Sequence, residues 1–291
     1  MSITAGFEHI VRENEPLAPY TQLKLGGTAE YFAEPTNEAE LVELVKRAAG
    51  QELPVRLLGG GSNVLVREEG VKGLVISLTA PEFCQLSVDG NNLSASGGTR
   101  LSHFVATAVR EGFTGPENLV AIPGTIGGAL HENTGSSGYD IGSSLVSARV
   151  MTRTGEVLER DRTEMSFSYR QSSLDELAIL SAKFQFERED PETLTKRMQK
   201  LWIVRRAAQP VSDSSIYVFK DTAVESASDL IEQCGLKGTR VGDVKISDRE
   251  PNTFVADKGA TSADVLALIE QVQQRVKEQL DVEIETALQV W

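Results

Sequence analysis

Leu57-Leu58-Gly59-Gly60-Gly61-Ser62-Asn63 is the run on which the reading of this chain turns. It follows a short segment, Val55 to Leu58, that predicts a β-strand. Three successive glycines free the backbone from the Cβ restriction on φ and let bare N–H groups approach an anion. Such a nest suits a pyrophosphate, with Ser62 and Asn63 adding side-chain hydrogen bonds. No Gly-Lys-Ser/Thr follows, so it is not a Walker loop, and its spacing is not that of the GxGxxG fingerprint. Taken alone, the run reads more simply as a flexible turn.

A second glycine-rich region changes that balance. Ile122-Pro123-Gly124-Thr125-Ile126-Gly127-Gly128-Ala129, then Asn133-Thr134-Gly135, offers another backbone-lined surface, and Gly26-Gly27 offers a further close approach. Two domains that each carry such a loop can clamp one extended dinucleotide. A third feature is Tyr169-Arg170 within Phe167 to Leu174. An arginine beside a tyrosine presents a bidentate cation to a carboxylate or phosphate, although by itself it reads as a surface arginine near a turn.

Working outward, three stretches separate by pattern, at residues 1–77, 78–203 and 204–282. The tail 283–291, with the strand-like VEIETALQVW, is expected to return to the first stretch. The first opens with strand-like YTQLKLGG and AEYFAEP. A helix from about Glu38 follows, capped by Asn37 with Glu40 in capping-box register, buried along Leu41, Leu44, Val45 and Ala48, and closed by Gly50. A strand is expected from Gly73 to Leu78. The second stretch is strand-rich, with hairpin signals at Asp89-Gly90 and Thr154-Gly155 and the alternating ILSAKFQFE. Helices are expected over about 100–111 and from Asp190-Pro191 to near Arg206. The third predicts a helix near Ser226 to Cys234, a strand from Val241 to Ile246, and a long last helix burying Val265, Ile269, Val272 and Val276. The fold class is α+β.

The 291 residues suffice for two or three packed units, and the 40% hydrophobic and 24% charged content is that of an ordinary globular protein. A net charge of −13 argues against nonspecific binding to nucleic acid or anionic lipid. The two cysteines, Cys84 and Cys234, sit in apolar stretches and read as buried free thiols, which suits a reducing compartment. No signal peptide is apparent at the start, and no apolar run approaches the ~20 residues of a membrane span. The expected location is the cytoplasm.

In order, Lys24 to Gly27, Leu58 to Asn63, Ile122 to Gly128, Asn133 to Gly135, Tyr169-Arg170 with Ser172-Ser173, Arg205-Arg206 with Gln209-Pro210, Phe219-Lys220 and Gly235 to Gly238 resemble the UDP-N-acetylenolpyruvoylglucosamine reductase family. The resemblance runs from about residue 18 to the end. The short path from Arg170 to Arg205 is similar to the family's short form, which lacks an extra substrate loop. It implies a two-subdomain FAD-binding fold of the vanillyl-alcohol-oxidase type, followed by a C-terminal α+β substrate domain. It also implies noncovalent FAD, NADPH as reductant, a UDP-sugar substrate and a place in peptidoglycan precursor synthesis. His9, His103 and His131 stand in no glycine-histidine attachment motif, and no metal is implied. A monomer is expected, with neither nucleic acid nor membrane as partner.

The same resemblance assigns residues. Gly59, Gly60, Gly61, Ser62, Asn63, Pro123, Gly124, Thr125, Gly127 and Gly128 would hold the cofactor. Tyr169, Arg170, Lys220 and Lys237 would hold the substrate. In the family, hydride passes from NADPH through FAD to the β-carbon of an enolpyruvyl ether. An arginine and a glutamate stabilise the charge that develops, and a serine donates the final proton. Arg170 matches the arginine. Tyr217 stands at the serine position, with Ser215 or Ser214 as displaced alternatives, and Ala287 stands at the glutamate position. Glu285 lies two residues earlier, on the same face if the tail is a strand. Three readings stay open: a reductase with a remodelled donor (Tyr217 as substitute), an FAD-binding homologue with a degenerate site, and a different flavin oxidase or dehydrogenase.

Overall fold

The structure, a computed structural model, describes residues 2–291. Its helices are α1 Glu38–Gly50, α2 Leu101–Arg110, α3 Ile126–His131, α4 Pro191–Ala208, α5 Ala227–Gln233 and α6 Ser262–Leu280. The chain divides into two compact units. Unit 1 comprises the residues up to Asn14, Glu30–Gly60 and Lys72–Arg205; unit 2 comprises Glu15–Ala29, Gly61–Val71 and Arg206–Trp291.

Among the described residues, the two larger sheets of unit 1 carry its architecture, and two short two-stranded hairpins add to them. The first orders the strands Val11–Pro16, Thr28–Ala33, Val71–Ser77 and Val55–Leu58, the last two parallel. Helix α1 lies in one apolar cluster with it, through Leu41, Leu44, Val45 and Ala48, the spacing of one helical face. The Asn37 side chain accepts from the Glu40 N–H at 3.0 Å. The expected reciprocal bond goes one residue further back, because the Glu40 carboxylate accepts from the Thr36 N–H and hydroxyl. Gly50 is the last residue of the helix, and the left-handed turn falls instead on Glu52, at φ 55°.

The second sheet orders Val157–Asp161, Leu145–Met151, Ala178–Gln185, Asn92–Ser96 and Leu86–Asp89, all antiparallel. Asp89 pairs with Asn92, so Gly90, at φ 57°, takes the tight hairpin position its sequence advertised. Helix α2 packs Phe104 against Phe184, with ring centroids 4.9 Å apart. Phe104 is fully buried, and truncation to Ala at such a position costs about 3–5 kcal/mol.

Unit 2 contains the sheet Ser215–Tyr217, Thr253–Ala256, Val244–Ile246 and Arg240–Val241. Its core also takes in α5, α6, Leu23 and Leu65. The segment expected as one strand from Val241 to Ile246 is a hairpin turned at Gly242, where φ is 53°. YTQLKLGG is not a strand: it is a short 3-10 turn followed by irregular chain, with Leu23 buried and Lys24 and Gly26 at positive φ. The tail strand Gln289–Val290 pairs in parallel with Val64–Leu65, and the Arg67 N–H donates to the Trp291 carbonyl at 2.9 Å. Both cysteines are free but only half-buried, rather than fully buried as their apolar neighbours suggested, and burial raises the pKa of each thiol. Among the described residues, no helix is long and apolar enough to cross a membrane.

Candidate active site

The glycine loops meet within unit 1. Leu58 ends its strand opposite Ser77, and Gly59 and Gly60 follow, both exposed. A Cβ on Gly60 would lie 2.9 Å from Gly124 Cα, and one on Gly59 would lie 2.9 Å from Thr125 Oγ1. The 124–127 segment is laced to the 97–101 segment. The Leu101 N–H donates to the Gly124 carbonyl at 3.0 Å, and the Gly127 N–H to the Gly97 carbonyl at 2.8 Å. Gly97 was not singled out from sequence, although the Gly97-Gly98 doublet carried the signal. A Cβ there would fall 1.8 Å from the Ile179 carbonyl oxygen.

The chain enters the second loop from a 3-10 turn, Pro116–Leu119, and from Ala121 at φ 63°. Thr125 then caps α3, accepting from the Gly128 N–H at 3.4 Å. Gly59, Gly60, Pro123 and Gly128 are exposed, while Gly124 and Thr125 are half-buried and Gly127 is buried. The result is an exposed backbone surface on which side chains would collide. Such a cradle fits a pyrophosphate, whose oxygens accept from main-chain N–H groups.

Arg205 braces this region. Its guanidinium donates to the Val120 and Asn118 carbonyls and to the Ser136 hydroxyl, all neutral oxygens. Burial lowers its pKa.

Tyr169 and Arg170 form the turn of a small hairpin, with Ser168 paired to Gln171 and Phe167 to Ser172. Arg170 is at φ 53°, a left-handed conformation uncommon outside glycine and a sign of local constraint. Its guanidinium carbon lies 5.7 Å from the Tyr169 ring centroid, and Tyr169 is 57% exposed. The hairpin therefore holds the cation and the aromatic side by side in unit 1.

The remaining assigned residues belong to unit 2. Gly61 is buried at φ 63°, and a Cβ there would collide with the Tyr20 carbonyl. Ser62 and Asn63 follow, half-buried. The Tyr217 hydroxyl donates to Asp221 Oδ1 at 3.3 Å and is partly exposed. Ser215 lies two residues before it on the same strand, thus on the same face and about 7 Å away, while Ile216 is buried on the other. Ser214 precedes that strand. The Ala287 N–H donates to the Val218 carbonyl at 2.7 Å, and the Lys220 N–H to the Glu285 carbonyl at 2.9 Å. The Glu285 carboxylate faces Lys220 Nζ at 3.5 Å, two positions away along the tail from Ala287. Lys237, exposed after α5, pairs with Glu232.

Residues 29–161 match the FAD binding domain family, and residues 209–291 match the UDP-N-acetylenolpyruvoylglucosamine reductase, C-terminal domain family. A UDP-N-acetylenolpyruvoylglucosamine reductase of Rhodopirellula baltica is 40% identical over 97% of this chain and 93% of that protein. The chain belongs to the UDP-N-acetylenolpyruvoylglucosamine reductase family. The Bacillus velezensis reductase of the same name is 35% identical over 96% of this chain and 93% of its own length. The crystal structure of the Thermus caldophilus reductase superposes with a TM-score of 0.81 at 34% identity, covering 97% of this chain and 99% of that one. The α+β fold, an FAD-binding domain followed by the reductase C-terminal domain, is the one the motifs implied. FAD is the cofactor of this reductase family member.

Proposed function

We propose that this protein reduces the enolpyruvyl ether of UDP-N-acetylglucosamine to UDP-N-acetylmuramate, a step of peptidoglycan precursor synthesis, with NADPH as the electron source. The observation that carries the reading is the Tyr169-Arg170 turn, where a constrained arginine is displayed beside a partly exposed tyrosine. FAD, held noncovalently, would relay hydride from NADPH to the substrate's β-carbon.

The chain's own residues bind and stabilise. Gly59, Gly60, Pro123, Gly124, Thr125, Gly127 and Gly128, with Gly61, Ser62 and Asn63 continuing the first loop, hold the cofactor. Arg170 offers its planar fork to the substrate carboxylate, whose charge grows as the α-carbon becomes carbanionic. Tyr169, Lys220 and Lys237 take the rest of the anionic sugar nucleotide, most of it through residues 204–282. Tyr217 donates the closing proton to the α-carbon. A phenol is a stronger acid than the serine hydroxyl the family uses, and the bond to Asp221 fixes its orientation. The protein acts as a cytoplasmic monomer.

One observation favours a second reading, a flavin-binding homologue with little turnover. Ala287 has no carboxylate, and Glu285 is engaged by Lys220. Anaerobic rapid mixing decides between them. FAD-loaded protein is reduced with NADPH and then mixed with the enolpyruvyl nucleotide. Fast reoxidation with formation of the lactyl ether supports the reductase; reduction with no reoxidation supports the homologue.

A further inference from the structure

We infer that Asn133 is a positioning residue for Arg170, acting through the hairpin that carries it. The inference rests on the proposed role of Arg170 and goes beyond it by assigning work to a residue that touches no substrate. Asn133 follows α3 and is 2% exposed, with φ at 43°. Its side chain bridges two backbone segments. Oδ1 accepts from the Gly142 N–H at 3.1 Å, and Nδ2 donates to the Ser168 carbonyl at 2.8 Å. Ser168 is the residue directly before the Tyr169-Arg170 turn.

An amide is what this position requires. It offers a donor and an acceptor on one planar group, which is the pair the two backbone partners need. It also belongs to a residue type that tolerates positive φ. Space around it is closed: a Cβ on Gly142 would lie 2.5 Å from the Phe167 ring and 2.8 Å from Asn133 Oδ1. Phe167 begins the same hairpin and packs under the Arg162 guanidinium. The two-residue turn is thus anchored at its base by a buried amide and a clamped ring, while its tip bears a strained arginine. Arg170 has several rotatable bonds, so its fork is placed reproducibly only when the backbone that carries both it and the neighbouring Tyr169 ring is fixed. A misplacement of about 1 Å in a charge-stabilising group costs on the order of a hundredfold in rate.

The carboxylate in Asn133→Asp keeps the size and the acceptor for Gly142 but sets an oxygen against the Ser168 carbonyl. Asn133→Gly keeps the backbone conformation and removes the side chain, so one of the two remains usable if the other misfolds. Full-length, FAD-loaded wild type, Asn133→Asp, Asn133→Gly, Arg170→Met and the double variant Asn133→Asp/Arg170→Met are compared. Flavin reduction by NADPH and flavin reoxidation by the enolpyruvyl nucleotide are timed separately. The expected result is reoxidation slowed about 10- to 100-fold by either Asn133 change, with reduction within about twofold of wild type and the double variant no slower than Arg170→Met. Amide exchange at Ser173, whose N–H donates to the Ser166 carbonyl across the hairpin, is expected to accelerate without ligand. Equal loss in both half-reactions, or a double variant slower by the product of the two single effects, overturns the inference. Arg170→Met reoxidised at the wild-type rate removes instead the role given to Arg170, and the inference with it.

Discussion

The Asn63 side-chain amide donates to the Ala287 carbonyl at 2.8 Å, a bond between residues 224 positions apart. The Asn63 carbonyl in turn accepts from the Gln289 N–H at 2.9 Å. One residue of the glycine-rich loop therefore fixes the tail at the position where the family has its glutamate. Asn63→Ala leaves the Ala287 carbonyl without this donor in a half-buried setting and is expected to cost about 1–3 kcal/mol. Urea unfolding followed by circular dichroism measures it as a lower midpoint at unchanged slope.

Gly60→Val is expected to abolish flavin retention while leaving the fold intact. Its Cβ would press on the Gly124 backbone, so the two loops must separate at this point, where Gly60 is exposed and Gly124 half-buried. The purified variant should lack the flavin's visible absorbance after reconstitution and keep a far-ultraviolet spectrum like that of wild type.

Tyr217→Phe separates the steps of the reaction. It removes only the hydroxyl that donates to Asp221. Product formation is expected to fall about 10²–10⁴-fold, with NADPH-dependent flavin reduction unaffected. Product formed at the wild-type rate would transfer the proton donor's role to Ser215 or Ser214.

Acid should loosen the entry to α1. The Thr36 backbone N–H holds the Glu40 carboxyl below the usual carboxylate range, with the Thr36 hydroxyl adding to the effect. A depressed folded pKa means the stabilisation is complete above the unfolded value of about 4.3 and is lost as pH falls through the folded value. Unfolding midpoints from neutral pH to pH 3 should fall more steeply for wild type than for Glu40→Gln, which does not titrate.

Much of this was legible because local chemistry decided it. The stripe of α1 was read correctly from periodicity alone, as was the Asp89-Gly90 hairpin from its turn residues. The misread elements are those that tertiary packing overrides. YTQLKLGG alternates like a strand, yet Leu23 is drawn into the unit 2 core and the chain bends at Lys24 and Gly26. Val11–Pro16 escaped notice because only Val11 is buried and the other residues of VRENEP are mostly charged, as suits the edge of a sheet. At the site, Tyr169-Arg170 was visible as a motif. The positive φ of Arg170 and the two bonds of Asn133 were not, because both depend on residues from other parts of the chain.

Unit 2 is assembled from three separate pieces of sequence, and this sets an order for its birth on the ribosome. At about 5–20 residues per second, Val64 and Leu65 wait on the order of ten to forty seconds for the strand at 289–290 to be synthesised. Leu23 and Leu65, both fully buried in the finished protein, have no core to enter until most of residues 216–276 have been made. They are candidates for holdase chaperones and for premature clumping of nascent chains, and the danger falls only as the last third of the chain emerges. Slowing translation late in the message should therefore lower soluble yield more than slowing it early.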